Sequence, residues 1–244
     1  MKKLTVLGTG DAFATGGRHT TAFLISDDKG SFLVDCGAST LVRLKQIEHS
    51  IDRIKGIFIT HFHGDHFGGL PFVILSLRIE YGLDHTLFIA GPQGLEEKVR
   101  TLQDALYPET SRFYDELNIH FIEYNLNWQN IDGIEFKAVP VTHSPPSNPH
   151  GIQLRWNNQI FAFSGDTEWD DRLIDLSTDT SAFIVECNNY LMDSPGHLSL
   201  KTLMEKRELL KTQRLLLSHM GKEMLELEKC PFERLKDGIE ITLW

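Results

Sequence analysis

Cysteine is scarce in this chain, and what there is does not pair. Cys36, Cys187 and Cys230 are odd in number, form no Cys-x-x-Cys spacing and sit in or beside apolar segments. That argues against a disulfide framework and fits a reducing cytoplasm. Long apolar runs are missing too. The opening Met1-Lys2-Lys3-Leu4-Thr5-Val6-Leu7 stops at Gly8, too short for a signal-peptide core, and the run from Leu70 is broken by Ser76 and Arg78, far short of a bilayer span. No membrane partner is expected. Basic charge is in deficit: 24 Lys and Arg against 34 Asp and Glu leave −10, which repels polyanions and counts against long nucleic acid as a partner. The one basic cluster, Lys201, Lys206, Arg207, Lys211 and Arg214, is interleaved with Glu205 and Glu208 and reads as a solvated helix face. With no fixed-period repeat and no low-complexity tract, 244 residues suit a single domain, 1–244, with a substantial core.

Histidine, by contrast, is concentrated. Ile57-Phe58-Ile59-Thr60 runs into His61-Phe62-His63-Gly64-Asp65-His66, three histidines and an aspartate within six positions. Residues 56–60 are predicted to be a buried strand, with Gly64, Gly68 and Gly69 bending the backbone after it. Side chains at such a strand exit are held by a rigid sheet yet remain reachable. His61 and His63, one residue apart, can converge on one ion, while Asp65 and His66 point elsewhere and can serve a second. Nitrogen-rich ligation with a carboxylate suits zinc first, with manganese or iron as substitutes.

The rest of the chain alternates strands and helices. Strands are predicted at 3–8, 22–26, 31–35, 86–90, 119–124, 135–141, 152–156, 159–163, 182–186, 214–218 and 239–243, with turns at Asp27-Asp28-Lys29-Gly30 and Asn157-Asn158. Helices are predicted at 39–49 with Ser39 as cap, 70–80, 93–105 and 200–210. Site candidates fall just past strands. The pattern alone gives an α/β protein with mixed sheets.

His61-Phe62-His63-Gly64-Asp65-His66 resembles the HxHxDH signature of the metallo-β-lactamase superfamily. Val141-Thr142-His143, Phe163-Ser164-Gly165-Asp166-Thr167 and Leu217-Ser218-His219 are similar, in order, to its later ligand motifs. Val34-Asp35-Cys36-Gly37, Val185-Glu186 and Gly196-His197-Leu198-Ser199 resemble the branch holding ribonuclease Z and related phosphodiesterases. Phe67-Gly68-Gly69-Leu70-Pro71-Phe72 and Ala90-Gly91-Pro92-Gln93-Gly94-Leu95 look like the small anti-Pycsar cyclic-nucleotide phosphodiesterases. The resemblance implies a four-layered αββα sandwich and two zinc ions per chain. One ion falls to His61, His63 and His143, the other to Asp65, His66 and His219, with Asp166 bridging both and a bridging hydroxide as nucleophile. Asp65 then counts among the catalytic groups, with His197 as a general acid near the substrate phosphate and Glu186 orienting it. A homodimer is also implied.

In tRNA-processing members an arm that grips tRNA lies between the third-histidine motif and the bridging aspartate. Here only residues 144–165 separate them. With the negative charge, this favours a small phosphodiester such as a cyclic nucleotide, with Phe67, Phe72 and the loop of Arg18 and His19 as candidate walls. RNA-end cleavage and hydrolysis of a lactone, thioester or sulfate ester are alternatives. A di-iron redox protein is disfavoured, because those carry glutamate at the second-histidine place, where this chain has His63. Arg18, His19, His150 and Glu168 have no assigned role.

Overall fold

Ala22–Ser26, Ser31–Val34 and Ala182–Glu186 form strands where β-branched and aromatic residues run on with little polar interruption, the pattern of sheets buried on both faces, whereas Ile134–Pro140 alternates buried and half-buried positions. The computed structural model describes residues 2–156 and 159–243; the predicted turn at Asn157-Asn158 lies outside them. Contacts gather the chain into two compact units, one of Met1–Gly8, His19–Tyr124 and Asp237–Trp244, the other of Thr9–Arg18 and Asn125–Lys236.

In the first unit, β1 (Lys2–Gly8), β2 (Ala22–Ser26) and β3 (Ser31–Val34) make an antiparallel meander. Asp27 shapes the β2–β3 turn by accepting the N–H groups of Lys29 at 2.7 Å and Gly30 at 3.2 Å. From β3 the sheet continues in parallel through β4 (Ile54–Phe58), β5 (Leu87–Gly91) and β6 (Ile119–Glu123). Leu33, Ile57 and Ile89 align across these strands and are fully buried with Leu44, Val73, Ile74 and Val99 of the crossover helices Thr40–Gln46, Leu70–Ser76 and Leu95–Leu106. Each such side chain contributes about 1.5–3 kcal/mol of burial.

The second unit repeats the plan. An antiparallel meander of β7 (Gln129–Ile131), β8 (Ile134–Pro140), β9 (His150–Trp156) and β10 (Gln159–Phe163) leads into a parallel half of β11 (Ala182–Glu186), β12 (Leu215–Ser218) and β13 (Glu233–Arg234). Ala162, Phe183, Val185 and Leu217 are buried with Leu173, Leu176, Leu200, Leu203 and Met224. The last strand, β14 (Glu240–Leu243), returns to pair antiparallel with β1. Among the described residues each sheet has seven strands. Because β8 and β10 both run against β9, and β10 to β12 run together, all four deliver the chain to one edge of the second sheet. The carboxyl ends of β3, β4 and β5 share an edge of the first in the same way. Among the described residues no helix is long and apolar enough to cross a membrane.

Several local expectations are corrected. β4 ends at Phe58, so Ile59 and Thr60 lie beyond it. Ser39 occupies the cap position without capping; its hydroxyl instead bonds the Thr20 N–H at 2.8 Å and the Thr20 hydroxyl at 2.9 Å. The helix from Leu70 is α only to Ser76, then widens to a π turn over Leu77–Tyr81. Gly68 and Gly69 have ordinary negative φ of −64° and −85°. They are needed for close approach and not for a bend: a Cβ on Gly69 would lie 2.1 Å from the Gly37 carbonyl oxygen. The short strands β7 and β13 and the short helices Gly64–Phe67, Phe113–Glu116, Arg172–Ser177 and Lys222–Glu226 carried too few periodic residues to be read.

A matched pair of substitutions tests the close-approach account. A Cβ on Gly37 would sit 1.9 Å from the Asp65 carbonyl oxygen, whereas one on Gly64 meets nothing within 4 Å. In urea unfolding, Gly37→Ala is expected to cost about 1–3 kcal/mol, as overpacking does, and Gly64→Ala to stay within about 1 kcal/mol. Equal losses would contradict the account.

Candidate functional site

In the first unit a single carboxylate organises the histidines. Asp35 follows β3 in a left-handed conformation, φ 62°, and is 2% exposed. It accepts the Thr60 N–H at 2.8 Å, the Thr60 hydroxyl at 3.0 Å and His66 Nδ1–H at 2.7 Å. With its proton given to Asp35, Thr60 Oγ1 accepts from His61 Nδ1–H at 3.0 Å. Both rings thereby carry their proton on Nδ1 and present the Nε2 lone pair, as outer partners of metal-binding histidines do. The His61 ring centre lies 4.7 Å from that of His63 and 4.1 Å from that of His66, and Asp65 Oδ2 lies 3.3 Å from His66 Nε2. Burial pushes the Asp35 carboxyl above the ordinary carboxylate range, and His66 and the Thr60 donors draw it back.

The second unit uses a glutamate in the same way. Glu186 ends β11, 3% exposed. Its Oε1 accepts the Thr167 N–H at 2.8 Å and His197 Nδ1–H at 2.9 Å, and its Oε2 accepts the N–H groups of Asn188 and Leu198, each at 3.3 Å. Asp166, beyond β10 and next to Thr167, places Oδ2 3.3 Å from His219 Nε2 and 3.9 Å from His143 Nε2. His143 donates Nδ1–H to the Gly196 carbonyl at 2.8 Å, which again puts the ring's lone pair on Nε2. The His197 ring stacks on His219 at 5.5 Å and meets His143 edge-on at 4.9 Å. Burial raises the Glu186 carboxyl, with His197 opposing.

These donors fit a borderline divalent ion such as zinc: the imidazoles of His61, His66 and His143 are held through their second nitrogen, and carboxylates lie beside the histidines of each unit. Glu186, His197 and His219 also offer atoms within 4.8 Å of one another, but Glu186 Oε1 already takes two N–H donors, which suits an orienting role better than ligation.

Not every site residue stands just past a strand. Glu186 is the last residue of β11, Asp65 and His66 ride on the short helix Gly64–Phe67, and His197 lies in a loop. Of the candidate walls, Phe67 packs edge-on against Phe62, while Phe72 lines a groove of about 360 Å³ with Leu41, Leu75, Ile79 and Tyr107. Arg18 braces its own loop through Thr9 Oγ1 at 2.6 Å and the Leu235 carbonyl at 3.0 Å, and the His19 N–H bonds Asp237. His150 donates Nδ1–H to the Asn148 carbonyl. Residue-by-residue reading passed over Thr60, Thr167 and the structural weight of Asp35. One signal was available: Val34-Asp35-Cys36 and Val185-Glu186-Cys187 repeat an apolar–acid–cysteine triplet at two strand ends.

A family model described as anti-Pycsar protein Apyc1 matches residues 2–234. Ribonuclease Z of Saccharolobus islandicus (strain L.S.2.15 / Lassen #1) is 38% identical over 148 residues, 59% of this chain and 47% of that protein, so the chain spans about half the length of the curated relatives it matches. Among solved structures, the short form of human tRNase Z superposes with a TM-score of 0.77 at 21% identity over 98% of both chains. The metallo-β-lactamase fold protein YhfI from Bacillus subtilis gives 0.77 at 20% identity over 99% of this chain and 100% of its own. The expected α/β sandwich of the metallo-β-lactamase fold is therefore the fold found.

The triplets have a chemical consequence. Cys36 and Cys187 are fully buried beside the two organising carboxylates, and burial pushes both thiols well above the usual range. Cys230 is only partly buried. A thiol-disulfide reagent is expected to titrate one thiol per chain in the native protein and three after unfolding. Rapid native reaction of two or more would contradict the burial.

Proposed function

The chain belongs to the anti-Pycsar protein Apyc1 family, and from that premise we propose that it is a dinuclear-metal-dependent hydrolase of a small phosphodiester, a cyclic nucleotide foremost. The ligand set is the one the superfamily pattern implies: His61, His63 and His143 for one ion, Asp65, His66 and His219 for the other, and Asp166 for both. Zinc suits these donors first, and manganese or iron second. When bound, such ions supply the positive charge that polarises a phosphoryl oxygen and eases ionisation of water near neutral pH.

The observation that carries the reading is the His197–Glu186 pair. The His197 side chain is 24% exposed and its Glu186 partner 1%, so the imidazole is the reachable member. With Nδ1–H held by the carboxylate, Nε2 is the atom that meets substrate. Protonated there, it donates to a phosphoryl oxygen and then to the departing alkoxide as the phosphorus–oxygen bond breaks, while Glu186 stabilises the imidazolium. The net charge of −10 supports a small substrate over a long polyanion. We further propose a homodimer in the cytoplasm. One observation favours a second reading, cleavage of RNA ends: the 38% identity to a ribonuclease Z.

Elemental analysis of protein purified without chelator is expected to find two transition-metal ions per chain. His197→Ala should keep both while turnover falls about 10²–10⁴-fold, the usual worth of a general acid. Loss of metal from that variant would make His197 a ligand; full turnover would remove its catalytic role.

The substrate is tested by comparing cyclic mononucleotides, bis(p-nitrophenyl) phosphate and precursor tRNA at two salt concentrations. Turnover of the small phosphodiesters with shallow salt dependence is expected. Efficient tRNA cleavage that falls steeply with salt would indicate counterion release from a long polyanion and select the ribonuclease reading. Brisk lactone or thioester hydrolysis with no phosphodiester turnover would reject both.

A further inference from the structure

Glu168 takes no part in the ligand set or the proton transfer, yet three chain segments of the second unit meet on it. Its Oε1 accepts the Gly196 N–H at 2.8 Å. Its own N–H donates to the Thr142 carbonyl at 2.7 Å, beside His143. It follows Asp166 by two positions, and the residue between them, Thr167, donates its N–H to Glu186 and accepts the Thr142 N–H on its hydroxyl at 3.2 Å. Gly196 is thus gripped on both sides: the Glu168 carboxylate takes its N–H, and its carbonyl takes His143 Nδ1–H at 2.8 Å. Gly196 has φ 84°, and a Cβ there would lie 2.5 Å from His143 Nδ1, so the backbone is pressed against the ring as only glycine allows. His197 is the next residue, and its N–H closes a turn onto the Ser194 carbonyl at 2.9 Å.

We propose that Glu168 is a positioning residue for both His143 and His197. Its side-chain oxygen, accepting the Gly196 N–H at 2.8 Å while its backbone N–H bonds the Thr142 carbonyl, holds the 194–197 turn against residues 142–143. The Gly196 carbonyl then sets the His143 ring with its proton on Nδ1 and Nε2 aimed for ligation, and His197 keeps its Nδ1–H on Glu186. The proposal rests on His143 as a ligand and His197 as the proton donor, and it adds a residue outside the superfamily motifs. Glu168 acts through the Gly196 backbone and touches neither ions nor substrate. A carboxylate that merely ties a loop would contribute to melting temperature alone; a positioning carboxylate governs ligand geometry.

Two variants separate these cases. Glu168→Ala removes the acceptor, and Glu168→Gln keeps an acceptor oxygen at nearly the same volume. Zinc affinity by chelator competition is expected to fall about 10–100-fold in Glu168→Ala, the usual effect of losing an outer partner of a metal-binding histidine. The kcat on bis(p-nitrophenyl) phosphate should fall with little change in KM, and the His143 Nδ1–H proton resonance of the zinc-loaded protein should broaden or exchange faster. Glu168→Gln should recover most of each. Wild-type affinity, kcat and resonance in Glu168→Ala would overturn the proposal. A lowered melting temperature in both variants, with zinc affinity and the resonance unchanged, would do the same. Affinity and resonance need no substrate, so a wild-type protein that hydrolyses no phosphodiester would reject the proposed activity, while those two readouts would still decide the role of Glu168.

Discussion

A carboxylate taken out of water must find donors for its oxygens or lose its charge, and this requirement organises the residues around both strand edges. Leaving such a group unpaired costs several kcal/mol even after relaxation. Asp35 and Glu186, 2% and 3% exposed, meet the requirement with three and four donors. The donors belong to the segments that carry the candidate site residues. Thr60 leads into His61, His66 is itself a candidate ligand, Thr167 adjoins Asp166, and Leu198 adjoins His197. Satisfying the buried charge and aligning the site are therefore one event, and a change that moves a donor segment exposes the carboxylate to the full desolvation cost.

Two of the non-glycine residues with left-handed backbone stand at the same edges. Asp35 and His219 adopt left-handed φ of 62° and 51°, conformations that cost non-glycine residues about 1–3 kcal/mol and persist where surrounding contacts over-determine them. Asp and His are among the side chains that tolerate this region best. Both residues stand directly after a strand that has a parallel neighbour, β3 beside β4 and β12 beside β11, where the chain leaves the sheet with the side chain still buried. The hydrogen bonds to Asp35 offset the cost there.

These features explain what could be read from the sequence. The ligand candidates stood out because histidine and aspartate are unusual at the end of an apolar run, and because His143, Asp166 and His219 each follow one. Central strands such as β2 and β11 were legible to the residue for the same reason: both faces are buried and the apolar run is nearly unbroken. What could not be read depends on partners distant in sequence. Ser39 has the composition and position of a helix cap, yet its hydroxyl is claimed by Thr20, nineteen residues away. Gly69 looks like a hinge, but its reason is the Gly37 carbonyl across a crossover connection. Glu168 carried no local pattern, since its partner Gly196 lies 28 residues on.

The two carboxylates share a device but not a consequence. Asp35 reaches only buried partners: Thr60 at 1% and His66 at 0% exposed. Its effect there is ring orientation, since both partners are shielded from solvent. Glu186 spends one of its bonds on His197, whose side chain is 24% exposed. Under the role proposed for His197, that single difference makes Glu186 one end of a route for a proton, because an imidazole bound at Nδ1 and partly exposed transmits a change of charge at the surface to a buried carboxylate. On the proposed function, the first unit holds candidate ligand atoms still and the second also presents a partly exposed imidazole, so variation in substrate should be sought in the loop that carries His197 before the His61–His66 segment.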